Sequence, residues 1–333
     1  ITVRSTGKMN GSRSPSRTVQ ARIGAPSFST YAVVSNSQLW FGDTEIADGP
    51  VHSNVGVKMD GPNNSDVTSS NLTYVPTNSG AGSGSTKAGV WCDPNITNPN
   101  CITRSKVSWR YPVPSVDFNK VTTDLCQLKK TATNNQASNS CSQRPSRTAG
   151  YIPPRATGYN RAYGYLITLN ANGTYNLSSV SAENDTRANY TSALTSSVVA
   201  NNVAIPSNGI IFVEDNVWVR SEAGGFDGRV TIASARLVVS GQTTVSVVDN
   251  IKYKDQYSGG DAIGLIAENN IDIAPYVPVP LTVHSAMIAQ AGRVQFRPVY
   301  YSNSQATVGY VTESQRLNFF GSVASQEQWT WSW

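Results

Sequence analysis

Ile210-Ile-Phe-Val213, Val217-Trp-Val219, Arg229-Val-Thr-Ile-Ala233, Leu237-Val-Val239, Val245-Ser-Val-Val248 and Ile251-Lys-Tyr253 decide the fold of this chain. Each is a short apolar, β-branched run closed by Asn, Asp, Gly or Ser, and none has the length or the 3.6-residue period of a helix. The pattern continues through Gly264–Ala267, Ile271–Ile273, Leu281–His284, Met287–Ala289, Val294–Phe296 and Leu317–Phe320. Strands this short, repeated without intervening helices, read as successive coils of a right-handed parallel β-solenoid. No coil buries its inner face alone, so stacking supplies the core. A two-sheet sandwich needs longer strands and more hairpin turns.

Working outward, four segments are expected. Residues 1–28 read as an N-terminal β-hairpin, with Ile1–Arg4 and Arg17–Ile23 flanking a turn-rich stretch. Residues 29–59 hold the first solenoid strands, Ala32–Val34, Leu39–Phe41 and Val55–Met59. Residues 60–205 read as a loop-rich insertion, loop-like to about 105 and a polar connector from 181 to Ile205. Within it, Phe118, Val121, Leu125 and Leu128 fall on one face of a helix expected over about 116–131, capped by Ser115. Asn172-Gly173 joins two strands of a hairpin over about 165–180. Residues 206–333 form the main solenoid.

The composition is that of a secreted β protein. Charged residues make up only 14% of the 333, against roughly 25% in ordinary soluble domains. The charge is unevenly spread: residues 1–161 hold 17 Lys/Arg against 8 Asp/Glu, a balance of +9, and the rest balance at −4. A basic half of this kind attracts nucleic acid, acidic polysaccharide or an anionic surface. The four cysteines, Cys92, Cys101, Cys126 and Cys141, match no zinc spacing. Of the three possible pairings, short-loop closure favours Cys92–Cys101 with Cys126–Cys141. Disulfides imply an oxidising, extracellular compartment.

There is no G-x-S-x-G elbow, H-E-x-x-H, phosphate loop or dinucleotide fingerprint, and no cofactor or metal is called for. Asp60-Gly-Pro-Asn-Asn-Ser-Asp66 offers oxygen ligands for Ca²⁺ but lacks the EF-hand pattern. Parallel β-helices can carry glycosidase carboxylate pairs, and Asp215 with Asp227 or Asp249 with Asp255 could face each other from adjacent coils. Turn stabilisation is the commoner role of such Asp residues. His52 and His284, the only histidines, read as structural.

Six ordered segments carry a family resemblance. They are Asp48-Gly-Pro-Val-His-Ser-Asn54, Pro114-Ser-Val-Asp-Phe-Asn-Lys-Val-Thr-Thr-Asp-Leu125, and Gly164-Tyr-Leu-Ile-Thr-Leu-Asn-Ala-Asn-Gly-Thr-Tyr175. Asn208–Val219 with Gly228–Ser234, Asp261–Ile271 and Leu317–Val323 complete the set. In this order the chain resembles PilX-like type IV pilus assembly proteins of bacteria, which include solenoid-bearing minor pilins. The resemblance implies a pilus-associated structural or adhesive protein at the bacterial surface, with other pilins as partners. It also implies an apolar helix upstream of Ile1 as the only membrane anchor. A carbohydrate-active β-helix enzyme and a DNA receptor for uptake are the competing readings.

Recognition is expected within residues 80–165, where basic charge, cysteines and tyrosines coincide. Loops on rigid scaffolds are where binding concentrates. Arg144, Arg147, Tyr151, Arg155, Tyr159 and Arg161 are the leading candidates for contacts with a cell-surface or polysaccharide ligand. The rival role for this region is to cap the open end of the solenoid.

Overall fold

The computed structural model describes residues 2–8, 16–22, 28–77, 82–94, 108–118, 124–134, 141–155, 160, 162–184, 194–238, 241–257, 259–297 and 317–328. The protein is mainly β, and its strands stack in parallel as the coils of a solenoid. One ten-stranded sheet runs the length of the stack, about 43 Å at the usual strand spacing. The opposite wall is divided into a seven-stranded and a three-stranded sheet. Isolated parallel bridges, Ala47 to Asn63, Phe226 to Tyr253 and Ile251 to Val283, link coils on the remaining side.

The order of strands in the long sheet does not follow the order of the chain. Starting at one end it runs Tyr151–Ile152, Ile210–Val213, Arg229–Ser234, Ala262–Ala267, Leu281–Ala289, Leu317–Ser325. It then continues with Val33–Ser35, Val51–Ser53, Val67–Ser69 and Trp109–Arg110. The last described strand therefore pairs with the first strand of the stack, Val323 beside Val33, Ala324 beside Val34 and Ser325 beside Ser35. The chain enters the solenoid mid-length, builds out to one end, returns to the other, and closes on its own starting point.

Residue columns explain why the pairing is in this register. One inward column reads Ile211, Ile232, Leu265, Met287, Val323, Val33, Val51, Val67. All eight are buried. A second column at the corner is built of small residues: Ser234, Ala267, Ala289, Ser325, Ser35, Ser53 and Ser69. Its serines are fully buried, and the hydroxyls of Ser35, Ser53, Ser69 and Ser325 bond the turn that follows. Ser53 Oγ accepts from Val55 and Gly56 N–H, and Ser35 Oγ accepts from Ser37 N–H. Such side chains replace backbone partners that a tight turn leaves unpaired.

The outward column between them is also apolar: Tyr151, Phe212, Ala233, Ile266, Ile288, Ala324 and Val34. A strap covers it. Val113 N–H bonds Ser69 O, then Val116 and Phe118 pack on Val34 and Ala324. Further along, Leu125 and Ala132 of the helix Asp124–Ala132 pack on Tyr151, Phe212 and Ala233. Burial on both faces is why these strands read as continuous apolar runs rather than as alternation.

Residues 60–205 are not one insertion: Val67–Ser69, Val90–Trp91 and Trp109–Arg110 are solenoid strands, and so are Tyr151–Ile152 and Gly164–Leu169. Strands of two or three residues carry no alternation of their own; neighbouring coils supply their pairing. Residues 116–118 lie outside the helix, and Phe118 packs on Phe28, with 5.0 Å between ring centroids. The expected polar connector contains the strand Leu194–Ala204, paired antiparallel to Thr174–Glu183. Leu237 and Val238 form a bend rather than a strand. The two hairpins stand as read: Thr2–Lys8 pairs with Ser16–Arg22, and Gly164–Leu169 with Thr174–Glu183.

Gly321 tests the closing strand. It lies opposite Ser285 with φ 153°, and a Cβ there would collide with the Ser285 carbonyl, which cannot move without breaking the ladder. Gly321→Val is expected to lower stability by about 2 kcal/mol or more in a urea titration. Gly7→Ala, where a Cβ meets nothing within 4 Å, is expected to leave the midpoint unchanged.

Candidate functional site

Four of the six sequence-derived candidates, Arg144, Arg147, Tyr151 and Arg155, gather at the end of the stack that begins with Tyr151–Ile152. Tyr151 is fully buried, so it is a packing residue and not part of an exposed recognition surface. Its hydroxyl donates to Glu214 Oε2 at 2.5 Å. Glu214 also receives Lys129 Nζ from the helix at 2.6 Å, and Lys129 donates a second bond to Cys141 O at 2.8 Å. Burial pushes the Lys129 pKa down and the adjacent Glu214 carboxylate opposes this. Burial and Glu214 together push the Tyr151 phenol well above its ordinary value.

Around this buried pair the capping segment is stitched down by tyrosines from the next strands. Tyr165 donates to Pro153 O at 2.9 Å and Tyr175 to Ala149 O at 2.7 Å. Arg144 and Arg147 are exposed beside them. Arg155 is exposed too, its guanidinium 5.4 Å from the Tyr163 ring centroid and bonded to Val180 O, while its N–H donates to Asp215. Tyr159 and Arg161 lie outside the described residues. Cys126 pairs with Cys141 across a Cα–Cα distance of 5.5 Å, fixing the helix to this segment. Cys92 is also disulfide-bonded, and Cys101 lies outside the described residues. The end is thus a cap with three arginines on its outside.

The other candidates have structural partners. Asp215 accepts from Arg155 and Asn216 N–H and lies 3.7 Å from Arg236. Asp227 is paired with Lys254 at 2.8 Å, and Asp249 accepts from Asn250 N–H. Asp60 is buried against Lys58 at 3.0 Å and accepts from Trp40 Nε1, while Asp66 pairs with Arg110. Lys58 in turn lies between Trp40 and Trp91, 5.0 and 5.4 Å from their ring centroids. A second buried cluster centres on Glu183. Burial raises its pKa, but the Arg297 fork, at 2.7 and 2.9 Å, with Tyr276 and Trp218, outweighs this and holds it low.

One site was not singled out in the sequence. His284 and Phe320 face each other on adjacent strands of the long sheet, and Tyr253 and Tyr257 come from the bridge side. Ring centroids lie 4.5 Å apart for Tyr257–Phe320, 5.1 Å for Tyr253–His284 and 5.4 Å for Tyr257–His284. Tyr257 is 65% and Phe320 47% exposed, among the largest exposed apolar groups described. Two open hollows border the tyrosines of the cluster. One, of about 340 Å³, is lined by Tyr253, Arg229, Thr231, Ile263 and Gly264. The other, of about 510 Å³, is lined by Lys254, Asp255, Gln256 and Tyr257. Sequence reading gave Leu317–Phe320 as a solenoid strand, and nothing local marks which face of that strand stays uncovered.

Two predictions follow from the buried groups. Lys129→Met leaves the Glu214 charge buried without its cation, so a loss of about 3–5 kcal/mol is expected in denaturant unfolding, and Lys129→Met/Glu214→Leu is expected to recover much of it. His52 is buried, with Nδ1 to Thr68 at 2.9 Å and Nε2 to Asn54 at 3.0 Å. Burial lowers its pKa from 6.5, against an opposing Asn54 hydrogen bond. The unfolded chain then binds the proton more readily, so stability falls as pH drops through and below about 6.5. The thermal midpoint is expected to fall between pH 7.5 and 5.5, and to fall less in His52→Gln.

Compared with known protein families, curated proteins and solved structures, the chain matches none.

Proposed function

We propose that this chain is an extracellular structural and adhesive protein of the bacterial surface, associated with a type IV pilus as its sequence resemblance implies. The observation that carries the reading is the unbroken ten-stranded parallel sheet, which makes the protein a stiff spacer rather than a hinged or hollow container. Such a stack holds whatever lies on its flank at a fixed distance from its ends. The disulfide between Cys126 and Cys141 suits an oxidising compartment. Among the described residues, no helix is long and apolar enough to cross a membrane. In this reading an upstream helix supplies the anchor and other pilins supply the lateral contacts.

The arginine-bearing cap favours attachment to the rest of a filament or to an anionic surface, since Arg144, Arg147 and Arg155 are all exposed at one end. Three of the carboxylates weighed for catalysis, Asp215, Asp227 and Asp249, are occupied by backbone N–H groups or basic side chains, which supports a binding role over hydrolysis.

Shearing surface filaments from cells that express the full-length protein, then probing sheared, periplasmic and cytosolic fractions with an antibody, tests the proposal. The chain is expected in the sheared fraction and to disappear from it when pilus assembly is blocked. Confinement to the cytosol would sink the reading.

A further inference from the structure

We propose that Tyr257 and Phe320, backed by Tyr253 and His284, form a binding site for a neutral saccharide. The inference rests on the attachment reading above and names the ligand class that this flank of the spacer would take.

The cluster is built from elements fixed independently of any ligand. Phe320 is placed by the long ladder with Leu281–Ala289, and its partner His284 by the same register. His284 N–H donates to Ile251 O at 2.7 Å, and its Nδ1 accepts from Tyr253 N–H at 3.1 Å. The neutral ring therefore carries its proton on Nε2. Burial, and secondarily Lys252, lower the His284 pKa. The rings are thus held by backbone bonds beneath them, while Tyr257 and Phe320 remain open above. Large aromatic faces left in water on a rigid support are a stored source of binding energy.

Their surroundings choose among ligands. Lys254 is already paired with Asp227. Asp261 accepts from Gly228 and Asp255 N–H, so two carboxylates flank the pair, and Asp255 borders the hollow beside Tyr257. Arg229 Nε is held by Gly260 O at 2.7 Å. Asp227, Asp255 and Asp261 balance Lys252, Lys254 and Arg229, so the patch has no net positive charge to anchor nucleic acid or a uronic-acid polymer. The exposed patch is two rings wide, far short of the ~800 Å² per partner of a stable protein interface. A pyranose suits it: the C–H face of the sugar carries partial positive charge and meets the negative π faces. Its hydroxyls reach carboxylate, amide and ammonium groups of Asp255, Gln256 and Lys254.

The test uses the intact chain with neutral tetrasaccharides of glucose, xylose and N-acetylglucosamine, and with tetragalacturonate and a single-stranded DNA 12-mer as charged probes. Saturation-transfer NMR identifies binders and calorimetry gives Kd. At least one neutral tetrasaccharide is expected to bind, with saturation transferred to its C–H protons. Tyr257→Ala and Phe320→Ala are each expected to weaken binding about tenfold, roughly 1.4 kcal/mol, and Tyr257→Trp to retain it. Thermal midpoints confirm folding, and Tyr257→Ala, at a turn outside the strands, serves if Phe320→Ala does not fold. Gly7→Ala, in the N-terminal hairpin where a Cβ meets nothing within 4 Å, is expected to bind normally. Absence of neutral-sugar binding at millimolar concentration, binding indifferent to Tyr257→Ala, or preference for either charged probe would overturn the proposal. Surface attachment by cells carrying Tyr257→Ala is scored separately. Unchanged attachment beside lost sugar binding moves the adhesive contact elsewhere and leaves the pilus reading standing. A cytosolic chain that binds sugar does the reverse.

Discussion

Three residue pairs, Val323 with Val33, Ala324 with Val34 and Ser325 with Ser35, join the end of the described chain to its first solenoid strand. Everything else depends on this seam. A coil of a solenoid buries its inner face only through its neighbours, so a break at any level exposes two apolar ends. Here the level most remote in sequence is also the one on which both halves lean. Gln38 Nε2 reaches Gln328 Oε1 at 3.1 Å and Asn36 N–H reaches Ser325 O at 3.0 Å, extending the contact beyond the strands. Closing a loop of nearly the whole chain adds entropy cost only logarithmically with its length. The matched columns of apolar and small residues then fix the register.

The strap is the second consequence of that arrangement. A chain that starts mid-stack and must return to the opposite end has to travel along the outside. It does so over the outward apolar column, with Val116 and Phe118 lying on Val34 and Ala324 at the seam. The same segment then lays the helix on Phe212 and Tyr151 and locks it through Lys129, Glu214 and the disulfide. One excursion therefore covers the seam, hides an apolar stripe and closes an end. This is why the cysteine-bearing, basic region resembles a separate insertion in sequence while serving as a clamp in space.

The division of labour along the molecule follows from burial. The cap end has its polar groups satisfied inward, with Tyr151, Tyr165 and Tyr175 bonded to Glu214 and to backbone carbonyls, and shows arginine outside. The flank near Tyr257 has the opposite character: aromatic faces outside, backbone bonds beneath, and charge compensated locally. Charge at an end suits contact with other charged surfaces, and aromatic faces on a flank suit a small uncharged ligand.

The class of fold, both hairpins, the helical character of residues 124–131 and the structural roles of His52 and most Asp residues are legible in the chain without its fold. Those features rest on local chemistry: β-branched runs, the Asn172-Gly173 turn, Asx and Ser partners of turn N–H groups. Only the tertiary structure decided which strands are neighbours, because strands of two to nine residues such as Val67–Ser69 and Leu317–Ser325 hold no record of a partner a whole chain away. It also decided that Tyr151 is core while Phe320 is surface. In sequence the first sits in a polar, basic stretch and the second in an apolar run. Their burial is set by what packs over them, the strap in one case and open solvent in the other.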